Sequence, residues 1–351
     1  MHSLTIIVTY YNSEEYIQSC IESIKQQRTQ DFEVIIVNDG STDQTEALMK
    51  ESLKDYDKKV NYIKLEENQG HAHARNVAMK EVETPYFMFL DADDELASYA
   101  ITFYLDKFNY TDGLIAPVHS FMLKKPQYVD LDKVKVNYFD GKRNINSFLR
   151  KQTACNIIFR TAIVRAHDLK FNEDLNVYTD WSFVIEYSKY VNKFMRITNF
   201  SFYYRGEVYD PFDGKTLSEQ DFDILFEDYV KMFYDAMARV THKETKSFII
   251  NKLEQQIARD FDPTHHDIKK RYAAHKETLV ELARYLNVNL IKHQHLINKI
   301  ETILLMNEDT EKAFQVNQFR KTLRHVKNVV LRNKNKDRSI SVSYTHLTLP
   351  T

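Results

Sequence analysis

The chain has 351 residues, with 48 Lys and Arg against 50 Asp and Glu; the resulting formal charge of −2 excludes a chain that binds nucleic acid as a whole. Hydrophobic residues make up 43% and Gly and Pro number six each, so the chain is globular, sized for about two domains, and neither disordered nor repetitive. Two cysteines, Cys20 and Cys155, cannot build a disulfide framework or a four-thiolate zinc site, and no apolar run approaches the ~20 residues of a membrane span, so a cytoplasmic location is expected.

Residues 4–9 form an apolar strand, and Asn12 with Glu15 three positions on makes a capping box for a helix over 13–26. Tyr10, Tyr11 and Asn12 then occupy a strand-to-helix turn. Residues 32–38 are a second apolar strand with Asp39 at its carboxyl end, followed by a second capping pattern at Ser41 and Gln44. A third strand over 60–65 leads through Asn68-Gln69-Gly70 into a helix carrying His71, His73, Arg75 and Asn76. Residues two apart do not share a helix face, so His71 and His73 are expected to be exposed or sheet-packed rather than a ligand pair.

The run Tyr86-Phe87-Met88-Phe89-Leu90 then meets Asp91-Ala92-Asp93-Asp94. Such an apolar run suits a central strand covered on both faces. Four β-α units in succession predict a parallel, doubly wound sheet, because parallel neighbours need crossovers of this length. Thr9, Asp39, Asn68 and Asp91 fall on one rim of that sheet, where ligands collect in open α/β folds. Aspartates there suit a hard divalent cation that also binds phosphate oxygens, although Asp-x-Asp alone is equally an ordinary polar turn.

Residues 96–170 are less regular, with strands expected at 114–118 and 156–160 and a charged, irregular segment over 124–137. Asp180 precedes a helix that starts at Trp181, where Asp is a favoured cap. Trp181 suits a stacking surface and a core position equally. A strand over 197–204 ends in Arg205, and the polar segment up to Ser218 is expected to act as a lid. Residues 219–338 have helical spacing, with breaks near Asp262-Pro263 and Asn287-Val288-Asn289. Between Arg320 and Arg338 eight basic residues stand against one acidic, a pattern that fits peripheral contact with an anionic membrane or a solvated helix face.

The ordered series Thr9-Tyr10-Tyr11-Asn12, Val37-Asn38-Asp39-Gly40-Ser41-Thr42-Asp43, Asn68-Gln69-Gly70 with Ala74-Arg75-Asn76, and Asp91-Ala92-Asp93-Asp94 resembles the nucleotide-sugar domain of family 2 glycosyltransferases over roughly residues 1–210. Four motifs in order are far more specific than any one. The resemblance implies a GT-A fold, an α/β Rossmann-like and mostly parallel sheet, here followed by a helical carboxyl-terminal region. It implies an inverting, metal-dependent transferase of hexosyltransferase type. The donor would be a nucleotide sugar, expected to be a UDP-sugar; the acceptor would be a cell-envelope polymer such as teichoic acid or another polysaccharide, or a lipid-linked acceptor.

On this resemblance Asp93 and Asp91 would hold Mn or Mg, and Thr9, Tyr11, Asp39, Asn68, Arg75, Asp91 and Ala92 would form the nucleotide pocket, with Asp39 receiving a hydrogen bond from uracil. Arg205 would lie beside the diphosphate and Asp180 would be the general base. The preceding Thr179 departs from the family, which usually has Glu there, so a catalytically silent nucleotide- or polymer-binding module is the second expectation. A nucleotidyltransferase is disfavoured, because no Gly-rich basic phosphate loop stands near the first strand.

The expected divisions are a transferase domain over 1–218, a helical region or connector over 219–338, and a tail over 339–351. The last ten residues, 342–351, look like a translated sequencing adapter, which would make the chain a truncated reading of a longer gene. More loosely, the whole run resembles the amino-terminal glycosyltransferase part of bacterial teichoic-acid biosynthesis proteins.

Overall fold

The structure, a computed structural model, describes residues 3–107, 111–115, 118–120, 130–149, 153–205, 222–264, 267–289, 294–306 and 312. The first half alternates β1 (Leu4–Tyr10), α1 (Ile17–Lys25), β2 (Glu33–Asn38), α2 (Thr45–Ser52), β3 (Val60–Lys64), α3 (His71–Lys80) and β4 (Tyr86–Asp91). There follow β5 (Glu95–Leu96), α4 (Ala100–Lys107), β6 (Gly113–Ile115), β7 (Val118–Ser120), β8 (Val136–Asp140), α5 (Ile145–Phe148), β9 (Ile157–Arg160) and α6 (Thr161–Ala166). The remainder comprises α7 (Thr179–Ser188), β10 (Lys193–Ile197), β11 (Tyr203–Arg205), α8 (Phe222–Arg239), α9 (Lys243–Asp260), α10 (Ile268–Asn289) and α11 (Gln294–Met306).

The main sheet has the order β3-β2-β1-β4-β9-β6-β10-β8, and a small sheet has the order β5-β11-β7. β3, β2, β1 and β4 are mutually parallel, as the repeated β-α units require, while β9 and β8 run against their neighbours. The register sets Thr9 beside both Val37 and Asp91, so the expected rim is real at these positions. β4 buries its four middle residues, and Phe87 and Phe89 pack with Phe159 of β9 at ring separations of 5.4 and 6.1 Å. Phe171 and Phe183 stack at 4.2 Å to extend this aromatic core toward α7.

Two compact units divide the chain, Met1–Leu253 and Glu254–Thr351. The first contains both sheets and also α8, with which the helical region expected from residue 219 begins. In the second, α10 and α11 bury Leu282, Leu286, Ile297, Ile300 and Leu304. The expected breaks at Asp262-Pro263 and Asn287–Asn289 fall between helices and at a helix end. Among the described residues no helix is long and apolar enough to cross a membrane. The basic stretch from Arg320 to Arg338, the polar segment to Ser218 and the tail lie outside the described residues.

Several local expectations are corrected. Neither proposed capping box forms: α1 starts at Ile17 and α2 at Thr45, both without a side-chain cap bond. The β1–α1 and β2–α2 loops cap each other instead. Asn12 Oδ1 accepts from the Thr42 amide at 2.9 Å and Ser41 Oγ from the Asn12 amide at 3.0 Å. Thr45 Oγ1 accepts from the Ser13 amide at 2.7 Å, and Glu14 Oε2 from the Gln44 amide at 3.0 Å. The strand expected over 197–204 is two strands, because β10 stays in the main sheet while β11 pairs with β5 and β7. α7 starts at Thr179, so Asp180 lies in its first turn and does not cap it.

Gly40 has φ +70°, and a Cβ there would meet the backbone of Glu67 and come within 2.6 Å of the Asn68 nitrogen. Gly40→Ala is expected to destabilise the fold by about 2 kcal/mol or more, through the left-handed backbone and this clash. Urea denaturation of the variant against the parent chain measures it.

Candidate active site

A tight turn closes β4, with the Asp94 amide on the Asp91 carbonyl at 3.0 Å. It gathers Asp91, Asp93 and Asp94 so that one carboxylate oxygen of each lies within 4.8 Å of the others. Ala92, within the same turn, is buried. Asp94 is itself buried and accepts from the Tyr203 hydroxyl at 2.6 Å; that hydroxyl accepts from the Asp91 amide at 3.2 Å. Burial first, then Cys155 and the carboxylates of Asp91 and Asp94, pushes the Tyr203 phenol well up, so it remains a donor.

Asp91 is held from two sides. Its Oδ1 accepts from Arg75 at 2.7 Å and its Oδ2 from the Cys155 thiol at 3.0 Å. Burial and then the Asp91 charge push the Cys155 thiol up, which keeps it protonated and donating. Arg75 also donates to Asp180 Oδ1, and the Ala154 amide takes Asp180 Oδ2 at 2.9 Å. Arg75 is 4% exposed, and its guanidinium lies 5.3 Å from the ring centres of both Phe89 and Phe171. Burial opposes its charge, but Asp180 and Asp91 outweigh that and raise its pKa well above the ordinary value.

α3 carries further connections to the segment before α7. His71 Nε2 and Thr179 Oγ1 are 2.6 Å apart, and His73 Nδ1 meets Glu173 Oε2 at 3.0 Å. The two histidines thus have separate protein partners, in keeping with their two-residue spacing. Asn76 donates to the Phe171 carbonyl at 3.0 Å and accepts its amide at 2.8 Å, which anchors the chain leading to Asp180. Trp181 stacks on Phe248, with ring centres 6.0 Å apart and planes nearly parallel.

The other expected positions line the same rim. Asp39 is 2% exposed and receives the Gln69 and Gly70 amides on its two oxygens, each at 2.9 Å. Asn68 Oδ1 accepts the Gly70 amide at 3.1 Å. Thr9 is half-buried beside Asp91, and Tyr11 is 45% exposed. The backbone of Arg205 ends β11, and its side chain lies outside the described residues.

Residues 5–167 match the family described as Glycosyl transferase family 2. The chain carries a family 2 glycosyltransferase domain. The chain is 71% identical over 340 residues to the teichoic acid poly(glycerol phosphate) polymerase of Staphylococcus epidermidis, covering 97% of this chain and 47% of that protein. It is 28% identical over 224 residues to the poly(ribitol-phosphate) beta-N-acetylglucosaminyltransferase TarS of Staphylococcus aureus, covering 58% of this chain and 35% of the relative. It therefore spans less than half the length of either. A crystal structure of S. aureus TarS 1-349 in complex with UDP-GlcNAc superposes with a TM-score of 0.62 at 19% identity, over 92% of each chain. At that identity the likeness is one of fold, and it identifies the glycosyltransferase domain as GT-A.

Sequence reasoning did not find Cys155, Ala154 or Tyr203, because a thiol, a backbone amide and a phenol far along the chain carry no pattern that points at Asp91. For Arg75, the structure shows a bridge between two carboxylates.

Replacing Arg75 by Leu leaves Asp91 and Asp180 facing each other without a counter-charge. Arg75→Leu is expected to cost about 3 kcal/mol at neutral pH, the low end for a broken buried ion pair because both carboxylates stay partly exposed. Urea unfolding followed by circular dichroism measures it.

Proposed function

We propose that this glycosyltransferase domain is inverting and metal-dependent, and moves a sugar from a UDP-sugar to a cell-envelope acceptor of the teichoic-acid type. The observation that carries the reading is the single guanidinium of Arg75 joining Asp91 of the acidic turn to Asp180 of α7, which sets a metal-side carboxylate and a candidate base at one rim. The polymerase relative and the UDP-GlcNAc complex of TarS support the choice of acceptor class and donor.

The acidic turn fits a hard divalent ion. Three carboxylates, Asp91, Asp93 and Asp94, gather in the turn, and Arg75 joins Asp91 to a fourth, Asp180; all offer oxygen ligands. Oxygens bound to one such ion at ~2.1–2.5 Å stand at most ~5 Å apart, and one oxygen of each of the three aspartates lies within 4.8 Å of the others. Asp93 is the proposed ligand, with Asp91 beside it. Bound Mn or Mg would stabilise the charge that builds on the leaving diphosphate.

The chain's own groups supply the remainder. Asp180 accepts the acceptor hydroxyl's proton as that oxygen attacks the sugar C1. The C1–O bond to the diphosphate breaks on the opposite face, and its electron pair leaves with the phosphate oxygen, which inverts the anomeric centre. A carboxylate offers about four lone-pair sites, and Asp180 uses two of them while staying 23% exposed, so it keeps capacity for that proton. Thr9, Tyr11, Asp39, Asn68, Arg75, Asp91 and Ala92 are proposed to frame the nucleotide, with exposed Tyr11 offering a ring face to the base and Asp39 an unused lone pair to its N–H. Arg205 is proposed to face the diphosphate.

A catalytically silent binding module is the second reading, favoured by the occupation of both Asp180 oxygens and by Thr179. Incubation with UDP-GlcNAc, manganese and a poly(glycerol phosphate) acceptor separates the two, since a silent module binds UDP and releases none. Asp93→Ala is expected to abolish manganese-linked UDP binding in calorimetry and UDP release with it. Asp180→Asn should keep UDP binding and lose about 10²–10⁴-fold in transfer rate.

A further inference from the structure

We propose that His71 is a positioning residue for sugar transfer, gripping Thr179 so that the next residue, Asp180, is held at the angle needed to take the acceptor's proton. The proposal rests on the reading of Asp180 as base.

α3 meets the first turn of α7 at two points one turn apart. His71 reaches Thr179 at 2.6 Å, and Arg75, four residues on and so on the same helix face, reaches Asp180. Two consecutive residues of α7 are thus held by one face of α3. Neither helix start is fixed by its own sequence. Both follow a left-handed residue, Gly70 at φ 91° and Tyr178 at φ 60°, and neither has a side-chain cap bond. The cross-helix bond ties the first turn of α7 to α3 where no local cap bond fixes it. Its far end is anchored, since Asp39 holds the Gln69 and Gly70 amides immediately before His71.

The chemistry of the pair suits a fixed contact. Thr179 is 1% exposed, and a buried hydroxyl deprived of its partner is costly, so the contact resists opening. Burial, then the charge of Arg75, lowers the His71 pKa below its ordinary value, while Asp180, Asp91 and Asp39 pull the other way. A neutral imidazole has one N–H and one lone pair and can meet a hydroxyl in either sense. The hydroxyl at 179 orients the first turn of α7 without a second carboxylate beside Asp180.

The test uses the full chain with UDP-GlcNAc, manganese and poly(glycerol phosphate). His71→Gln and the near-isosteric Thr179→Val should each lower kcat about tenfold, the cost of a small misplacement of a reacting group. UDP affinity should be unchanged, the double variant should be no worse than the weaker single one, and Thr179→Ser, which keeps the hydroxyl, should recover most of the loss. In nitrogen-15 spectra the His71 ring should titrate below the ordinary imidazole range and respond to Thr179→Val but not to Thr179→Ser. Wild-type kcat in His71→Gln and Thr179→Val, alongside a dead Asp180→Asn, overturns the positioning role alone. Retained turnover in Asp180→Asn overturns the base assignment and the proposal with it. Should the parent chain not turn over this donor, a crystal structure of Thr179→Val decides: Asp180 still seated on Arg75 and Ala154 overturns the proposal.

Discussion

A buried guanidinium shared by two carboxylates holds this site together. Arg75 lies against the rings of Phe89 and Phe171 and bridges Asp91 on β4 to Asp180 on α7. Taking such a charge out of water is expensive, and the expense is offset only while both anions remain in place. The three groups therefore form one unit, and removing any of them leaves the others uncompensated. Arginine suits the position better than lysine, because its planar fork serves two acceptors at once and its faces pack on aromatic rings.

Around that unit the protein controls charge through donors that stay protonated. Asp91 accepts a hydrogen bond from the Cys155 thiol, Asp94 accepts one from the Tyr203 phenol, and burial pushes both donors up rather than letting them ionise. These bonds fix the carboxylates without cancelling their charge. The acidic turn consequently keeps a strong local negative field.

The parallel half of the fold was legible because its signals are local. Apolar runs of strand length, each followed by a helix, lead to β1 through β4, and the register places Thr9 and Asp91 side by side. The acidic turn was legible for the same reason, since all its carboxylates come from four consecutive residues. Helix starts were misread. Asn12 and Ser41 have the chemistry of caps and do satisfy orphan amides, but those amides belong to each other's loops. Spacing along one chain segment carries no record of a partner 30 residues away. The same limit hid the contact between His71 and Thr179, which are 108 positions apart.

The amino-acid sequence alone determined the β-α repeat, the central strand buried on both faces, and the sequence-adjacent cluster of aspartates at its end. These follow from hydrophobic periodicity and from short-range backbone geometry, which are properties of neighbouring residues. Only the tertiary structure decided what Arg75 does, which groups hold each carboxylate, and how the start of α7 is set. Those outcomes depend on which distant groups share a low-dielectric space, where a charge or hydroxyl must find a partner, and that matching is made only once the sheet and its helices have packed.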